Sequence, residues 1–553
     1  MSLFTRTRQV PATEDEAKEE RRSGWKRRAG AVAACLVLLF ALLAPNRATL
    51  FTPAAFLRVP VEALIGVALV IVLPPRGRRI AAVAGGAVLG LLTVLKLLDM
   101  GFHTVLARPF DPVLDWYFVG AGIEFLTTSL GRVGAWAVVG GVVLLALAVL
   151  AATAWAALRL TGSVVRRRGT AAGGLAVLTA VWVACALLGA EIVPGVPVAG
   201  LAYERTLQVG ESLHDREEFA AQVAVDAFRN TPGERLLTGL RGKDVVLVFV
   251  ESYGRDAVED PRFAPQVGAV LDAGGARLRA AGYTARSAFL TSPTVGGGSW
   301  LAHATLLSGL WVDNQQRYDA LVTTDRLTLN GAFRRASWRT VGVMPGITRA
   351  WPEGAFFGYD RVYAARDLGY RGPGFNWGTM PDQYTLSAFQ RAERAAGAGP
   401  VMAEIPLVSS HAPWAPIPRM VGWDDVGDGS VFGSMRAAGR SPDDVWRDPG
   451  KVRTEYRRSI EYSLTSVLSY VERYGGEDLV LVFLGDHQPA PLVTGEDVNR
   501  DVPITIVARD PAVLERISGW GWQDGLRPGP KAPVWRMDAF RDRFLTAFSS
   551  PSP

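Results

Sequence analysis

The chain has 553 residues, a formal net charge of +6 and a mean hydropathy of +0.16. That length exceeds one ordinary domain, and that hydropathy is high for a soluble protein. Both cysteines, Cys35 and Cys185, lie in apolar runs, which excludes a structural disulfide or a thiolate zinc site in the second half of the chain, and with them zinc-finger, haem c and thioredoxin-type readings.

Residues 1–28 read as a charged cytoplasmic tail. Residues 29–193 read as a membrane domain of five helices: Ala29–Ala44, Val59–Leu73, Ile80–Leu98, Gly134–Leu158 and Thr170–Val193. A span needs about 20 apolar residues, within about 17–25. The last three meet this, and the first two borrow flanking residues. More apolar runs follow the first, so it reads as an uncleaved helix rather than a signal peptide. Arginine clusters at Arg21–Arg28, Arg76–Arg79 and Arg159–Arg168 flank these runs. In that position they are topology signals rather than a nucleic-acid patch. Their side is cytoplasmic, so the N terminus is inside and an odd number of spans puts everything after Val193 outside. The outer loop Asp99–Arg132 carries Trp116, Tyr117, Phe118 and Phe125. It would lie in the membrane interface or pack on its own helices.

Residues 194–240 read as a linker in which Ser212–Arg229 has the spacing and charge of a surface helix. Residues 241–548 read as a separate soluble domain. Its strand-like runs are Asp244–Val250, Thr340–Met344, Pro400–Ser409, Asp478–Leu484 and Val502–Ala508. Helix-like stretches alternate with them, which predicts an α/β domain with a mainly parallel sheet.

Two of these runs end in reactive residues. Asp244–Val250 runs into Glu251, and Asp478–Leu484 runs through Gly485 into Asp486 and His487. In open α/β sheets the ligand site lies beyond the carboxyl ends of the strands. Two carboxylates and an imidazole suit Zn²⁺ or Mn²⁺ and are poor ligands for Cu(I) or iron–sulfur clusters. The plainer alternative is that Glu251 caps a helix. In Thr291–Leu310, the run Gly296–Gly298 allows close backbone approach, and Ser299 falls at or just before the start of a buried helix. Free N–H groups and the positive dipole end there favour an anionic oxygen. A plain N-cap serine is the alternative. The spacing is neither a P-loop nor G-x-S-x-G. Of the histidines, His103 and His214 fall in the outer loop and the linker. His411 and His487 follow strands. His303 lies in the helix-like stretch and reads as a packed helix histidine.

Four segments, Val245–Arg255, Gly296–Gly309, Ser409–Trp414 and Leu481–Pro489, resemble in this order the sulfatase-like branch of the alkaline phosphatase superfamily. Five spans followed by an outer catalytic domain resemble its lipoteichoic acid synthases. The resemblance implies a multi-pass plasma-membrane enzyme with an extracellular sulfatase-like domain. Such an enzyme transfers a phospho-headgroup, such as glycerol phosphate from phosphatidylglycerol, to an alcohol acceptor through a covalent serine. It implies a membrane phospholipid as substrate, a cell-envelope polymer or glycolipid as acceptor, and no nucleic acid. It also implies one divalent metal, Mn²⁺ by the family's habit with Zn²⁺ or Mg²⁺ as alternatives, on Glu251, Ser299, Asp486 and His487. Ser299 is implied as the nucleophile by its spacing to Ser308 and Gly309, with Thr294 and Ser292 as alternatives. His411 matches the family histidine that touches the phosphate or the leaving oxygen. Arg349, Trp351 and His303 are implied substrate contacts. The chain departs from the family in two respects. Ser299-Trp300-Leu301-Ala302-His303 lacks the proline and arginine of formylglycine sites, which disfavours sulfate ester hydrolysis. The synthases use threonine where this chain offers serine. The other readings are a sulfatase, a phosphoethanolamine transferase (whose outer domain usually carries disulfides) and a non-catalytic membrane sensor with a degenerate enzyme fold. The retained Glu, Ser, His and Asp-His set argues against the sensor.

Overall fold

The structure, a computed structural model, describes residues 14–57, 59–187, 198–375, 378–395, 397, 399–495 and 499–550. The chain forms two compact units, 1–102 with 109–211, and 103–108 with 212–553.

The first unit is helical. Its helices are α1 (Glu14–Leu43), α2 (Val61–Val72), α3 (Pro75–Leu106), α4 (Trp116–Arg166), α5 (Arg168–Leu187) and α6 (Val198–Ala224), the last reaching into the second unit. Among the described residues, four helical segments are long and apolar enough to cross a membrane: Pro53–Val72, Pro75–Leu106, Leu130–Arg166 and Arg168–Cys185. Their apolar side chains are largely exposed, as at Leu144, Leu145 and Val177. Exposed apolar helices of this length belong in lipid, so this is a membrane protein. The apolar part of α1, Ala29–Leu43, is shorter than the about 17 residues a span needs. The expected fifth span ends at Val193, and that end lies outside the described residues, as does the start of the expected linker. The expected outer loop Asp99–Arg132 is largely helical. α3 runs on to Leu106, α4 begins at Trp116, and a kink at Gly131 (φ 74°) separates that first stretch from the long apolar part. Two polar contacts tie helices of this unit together. The Lys96 ammonium donates to the Ala41 and Leu42 carbonyls at 3.0 and 3.3 Å, near the end of α1 where helical carbonyls lack partners. Asp99 on α3 holds Arg205 on α6 at 2.5 Å.

The expected surface helix Ser212–Arg229 is the second half of the longer α6, and it stops earlier, at Ala224. Asp226 explains the stop. Its carboxylate accepts from the Phe228 amide at 3.1 Å, an arrangement that competes with helix. It is also gripped by the buried guanidinium of Arg541 and lies 3.6 Å from that of Arg326.

Among the described residues, the second unit is built on one sheet of nine strands: β1 (Asp244–Val250), β2 (Thr284–Thr291), β3 (Arg339–Met344), β4 (Arg361–Ala364), β5 (Val401–Leu407), β6 (Leu479–Gly485), β7 (Asp501–Ala508), β8 (Gln523–Asp524) and β9 (Val534–Arg536). Their order is β4-β3-β5-β1-β6-β7-β2-β8, with β9 beside β2. The pairs from β4 to β6 are all parallel, whereas β7 runs antiparallel to both β6 and β2. The sheet is therefore mainly parallel, as expected. All five expected strands form, with ends shifted by a residue or two.

The central strands are continuous apolar runs because both faces are covered. Val246, Val248 and Val250 of β1 face one core, and Val245, Leu247 and Phe249 face the other. Helices α7 (Ala264–Ala280), α10 (Asp382–Phe389) and α11 (Pro449–Tyr474) close the first face through Leu271, Phe389 and Ile460. Helices α8 (Ser299–Ser308), α9 (Leu329–Arg335) and α12 (Ala539–Phe548) close the second through Leu306, Phe333 and Phe544. β1 lies in the middle of the sheet, with β5 on one side and β6 on the other. The carboxyl ends of such strands are the usual ligand position.

Candidate metal centre

The carboxyl ends of β1 and β6 lie side by side, Val250 opposite Gly485. A Cβ on Gly485 would stand 1.8 Å from the Tyr253 carbonyl, so only glycine permits this approach. It brings Asp486 against the turn after β1. Asp486 Oδ1 accepts from the Ser252 amide at 2.8 Å and from the His487 amide at 2.7 Å. Two backbone donors fix the carboxylate and leave Oδ2 turned toward His487 Nε2, 3.7 Å away.

His487 is oriented from behind. Its Nδ1 lies 2.8 Å from the Gln488 carbonyl. A carbonyl accepts only, so Nδ1 carries the proton and Nε2 presents its lone pair in the neutral ring. Nε2 is 3.3 Å from Glu251 Oε1. The Ser252 hydroxyl donates to the same Glu251 oxygen at 2.9 Å.

Ser299 joins this set. Gly298, at φ 79°, turns the chain into α8 in a conformation that disfavours any side chain, and Ser299 is the first helical residue. Its hydroxyl donates to Glu251 Oε2 at 2.9 Å and lies 3.2 Å from His487 Nε2. The alternative hydroxyls are engaged elsewhere. Ser292 Oγ donates to the Asp486 carbonyl at 2.6 Å, and Thr294 Oγ1 donates to the Gly297 carbonyl.

The ligand atoms of Glu251, Asp486 and His487 lie within 4.8 Å of one another. Tetrahedral ligands about 2.0–2.2 Å from one ion stand about 3.4 Å apart. The spacings of 3.3 and 3.7 Å, with Ser299 at 3.2 Å from Nε2, match one small divalent cation. The donor set of two carboxylates, a hydroxyl and an imidazole fits Zn²⁺ or Mn²⁺.

The electrostatics reflect this crowding. Burial alone would raise the Glu251 carboxyl, but the His487 imidazolium, with a smaller contribution from His411, holds it well below the usual range. Burial, followed by repulsion from Glu251, pushes Asp486 up to about 6. Burial works against a charged His487, yet the Asp486 and Glu251 carboxylates raise it to about 9. Without a cation the site keeps a proton to balance its two acids.

His411 stands on the loop after β5, and its Nδ1 lies 2.5 Å from the Ala412 carbonyl. That loop is tied to the centre. Ser410 Oγ donates to the Glu251 carbonyl at 2.6 Å, and the buried Asp382 accepts from the Val408 and Ser409 amides at 3.0 and 2.9 Å. Arg349 and Trp351 lie beyond the carboxyl end of β3, two strands from β1. Arg349 is exposed, and Trp351 stacks on Phe357 at 5.6 Å between centroids. His303 projects from α8 and stacks on Phe249 at 3.9 Å. Sequence reasoning passed over Ser252, Ser410 and Gln488, which orient Glu251, Asp486 and His487. Adjacency was the available signal, since each flanks a candidate ligand or His411.

No family model and no curated protein matches the chain. Solved structures do. The lipoteichoic acid synthase LtaP from Listeria monocytogenes is 13% identical, covers 61% of this chain and 78% of its own, and has a TM-score of 0.37. The integral membrane phosphoethanolamine transferase EptA from Neisseria meningitidis is 12% identical, covers 94% of this chain and 95% of its own, and scores 0.41. The phosphoglycerol transferase GacH from Streptococcus pyogenes is 11% identical, covers 60% and 90%, and scores 0.34.

Proposed function

We propose that the protein is a metal-dependent phosphotransferase or phosphodiesterase that moves the phospho-headgroup of a membrane lipid to an alcohol acceptor. The observation that carries this reading is the Ser299 hydroxyl. It sits at the first turn of α8, 2.9 Å from Glu251 and 3.2 Å from His487, inside a donor set spaced for one cation.

Glu251, Asp486, His487 and Ser299 would hold a divalent metal, Mn²⁺ being the family's habit. When bound, it lowers the pKa of a neighbouring hydroxyl and screens phosphoryl charge. Glu251 accepts the Ser299 hydrogen bond, aims the oxygen and takes its proton as the oxygen attacks. Ser299 Oγ attacks phosphorus, forming the Oγ–P bond as the bond from phosphorus to the diacylglycerol oxygen breaks. His411 gives that leaving oxygen its proton. The positive dipole end at the start of α8 favours the nonbridging oxygens. The acceptor alcohol then attacks the phosphoserine and passes its proton to His411, and the Oγ–P bond breaks as Glu251 returns a proton to Ser299 Oγ. Arg349 and Trp351 would contact the headgroup. The arginine clusters support an orientation with the N terminus inside and residues 241–548 outside, where a polymer or glycolipid of the cell envelope is the acceptor.

A panel of phospholipids with labelled headgroups, given to the Mn²⁺-loaded full-length protein, tests this. Release of diacylglycerol from at least one lipid is expected. A panel left intact by a protein with full metal content would overturn the reading.

A further inference from the structure

Glu404 stands in the middle of β5, in register with Leu247 of β1, and is 1% exposed. A carboxylate in a strand interior is costly unless it is paired and hydrogen-bonded. Glu404 is both. Tyr359 Oη and Asn330 Nδ2 donate to its Oε2 at 2.5 and 3.0 Å. Burial and then the charge of Glu404 keep the Tyr359 phenol protonated, well above its ordinary pKa. On the other oxygen, His303 Nδ1 lies 3.3 Å from Oε1. Among the described residues no lysine or arginine pairs with Glu404.

His303 follows Ser299 by one helical turn, so the two side chains share a face of α8. Its ring lies nearly flat on Phe249, at an interplanar angle of 17°. Phe249 lies near the end of β1, two residues before Glu251. The imidazole is thus wedged between the strand that supplies Glu251 and the helix that supplies Ser299. Its Nε2 is buried without a hydrogen-bond partner, so Glu404 is its polar anchor.

We infer that Glu404 is a positioning residue for Ser299, acting through His303 to fix the rotation of α8 about its axis. This rests on the reading of Ser299 as nucleophile. The leverage is large. A hydroxyl about 4 Å from a helix axis moves about 1 Å when the helix turns by about 15–20°. A displacement of about 1 Å costs on the order of 100-fold in rate.

The test uses the Mn²⁺-loaded full-length protein with bis(4-nitrophenyl) phosphate, a generic phosphodiester, and measures kcat, KM, bound metal and melting temperature. Glu404→Gln should lower kcat by about 30–100-fold, with KM within about 3-fold and metal content unchanged. Tyr359→Phe removes a donor from the same carboxylate without touching α8. It should lower the melting temperature and leave kcat within about 2-fold. His303→Ala should match Glu404→Gln, and the double variant should be no worse than either. If Glu404→Gln does not fold, His303 decides. His303→Asn keeps a donor for Glu404 and should recover at least about tenfold of the kcat lost in His303→Ala. Wild-type kcat in Glu404→Gln, an equal kcat loss in Tyr359→Phe, or equal kcat in the two His303 variants overturns the inference. A wild-type protein with no turnover sinks the Ser299 reading, and the inference with it.

Discussion

Replacing Asp486 by asparagine should remove the metal and leave the fold standing. Asp486 does two jobs with two oxygens. Oδ1 accepts the Ser252 and His487 amides, and Oδ2 faces the ligand position 3.7 Å from His487 Nε2. Asparagine keeps an oxygen for the amides and puts a non-ligating nitrogen in place of Oδ2. Loss of an outer partner of a ligand already weakens metal binding by about 10–100-fold, so loss of the ligand itself should exceed about 100-fold. Asp486→Ala differs, because it leaves two buried amides without an acceptor. At about 1–3 kcal/mol each, that is about 2–6 kcal/mol, partly offset because Glu251 loses a like charge. Metal content after gel filtration, with thermal melts of the metal-free proteins, separates the effects. The asparagine variant should be empty and melt like the metal-free wild type, and the alanine variant should be empty and melt lower. Full metal occupancy in Asp486→Asn would refute the assignment of this centre.

Metal affinity should rise with pH. His487 in the metal-free protein titrates at about 9, above its ordinary value of about 6.5, so below about 9 it carries a proton that a metal must displace. Titrations between pH 7 and 9 should show affinity climbing by up to about tenfold per unit and flattening above; a flat profile across that range contradicts the protonated imidazole. The same raised pKa stabilises the metal-free fold fully below about 6.5, and this contribution disappears as pH rises through about 9. Melts of the metal-free protein should therefore fall over that window. Orientation is tested by placing a cysteine at the exposed Asp425, with Cys35 and Cys185 replaced by serine. An impermeant maleimide should label it in intact cells, and labelling only after permeabilisation would reverse the topology.

Much of the centre was legible because its parts sit at strand ends. A run such as Asp244–Val250 announces its own termination, and the residue that follows is aimed at the carboxyl edge. Glu251, Asp486 and His487 could be placed together on that basis, and Ser299 by the glycines before its helix. β2 was not legible, since Thr284–Thr291 opens with exposed and half-buried residues and shows no continuous apolar run. It is held by antiparallel pairing with β7, a nonlocal contact with no local signature. Nor did Glu404 stand out. It lies within the expected strand Pro400–Ser409, where an acid reads as a solvent-facing position. Its burial depends on donors from Asn330, Tyr359 and His303, which only the folded chain assembles. The end of α6 was misplaced for a similar reason, since Arg541 claims Asp226 from the far end of the sequence.

The central claim is that Ser299 forms the covalent bond to phosphorus. Ser299→Ala should lose turnover by orders of magnitude with substrate affinity kept, and Ser299→Thr should retain part of it. Neither variant identifies the bond itself. Mass spectrometry of the wild-type protein, quenched with a slow phosphodiester substrate, does. The account predicts a phosphoryl adduct on Ser299. An adduct on Ser292 or Thr294, whose hydroxyls donate to the Asp486 and Gly297 carbonyls, would contradict it.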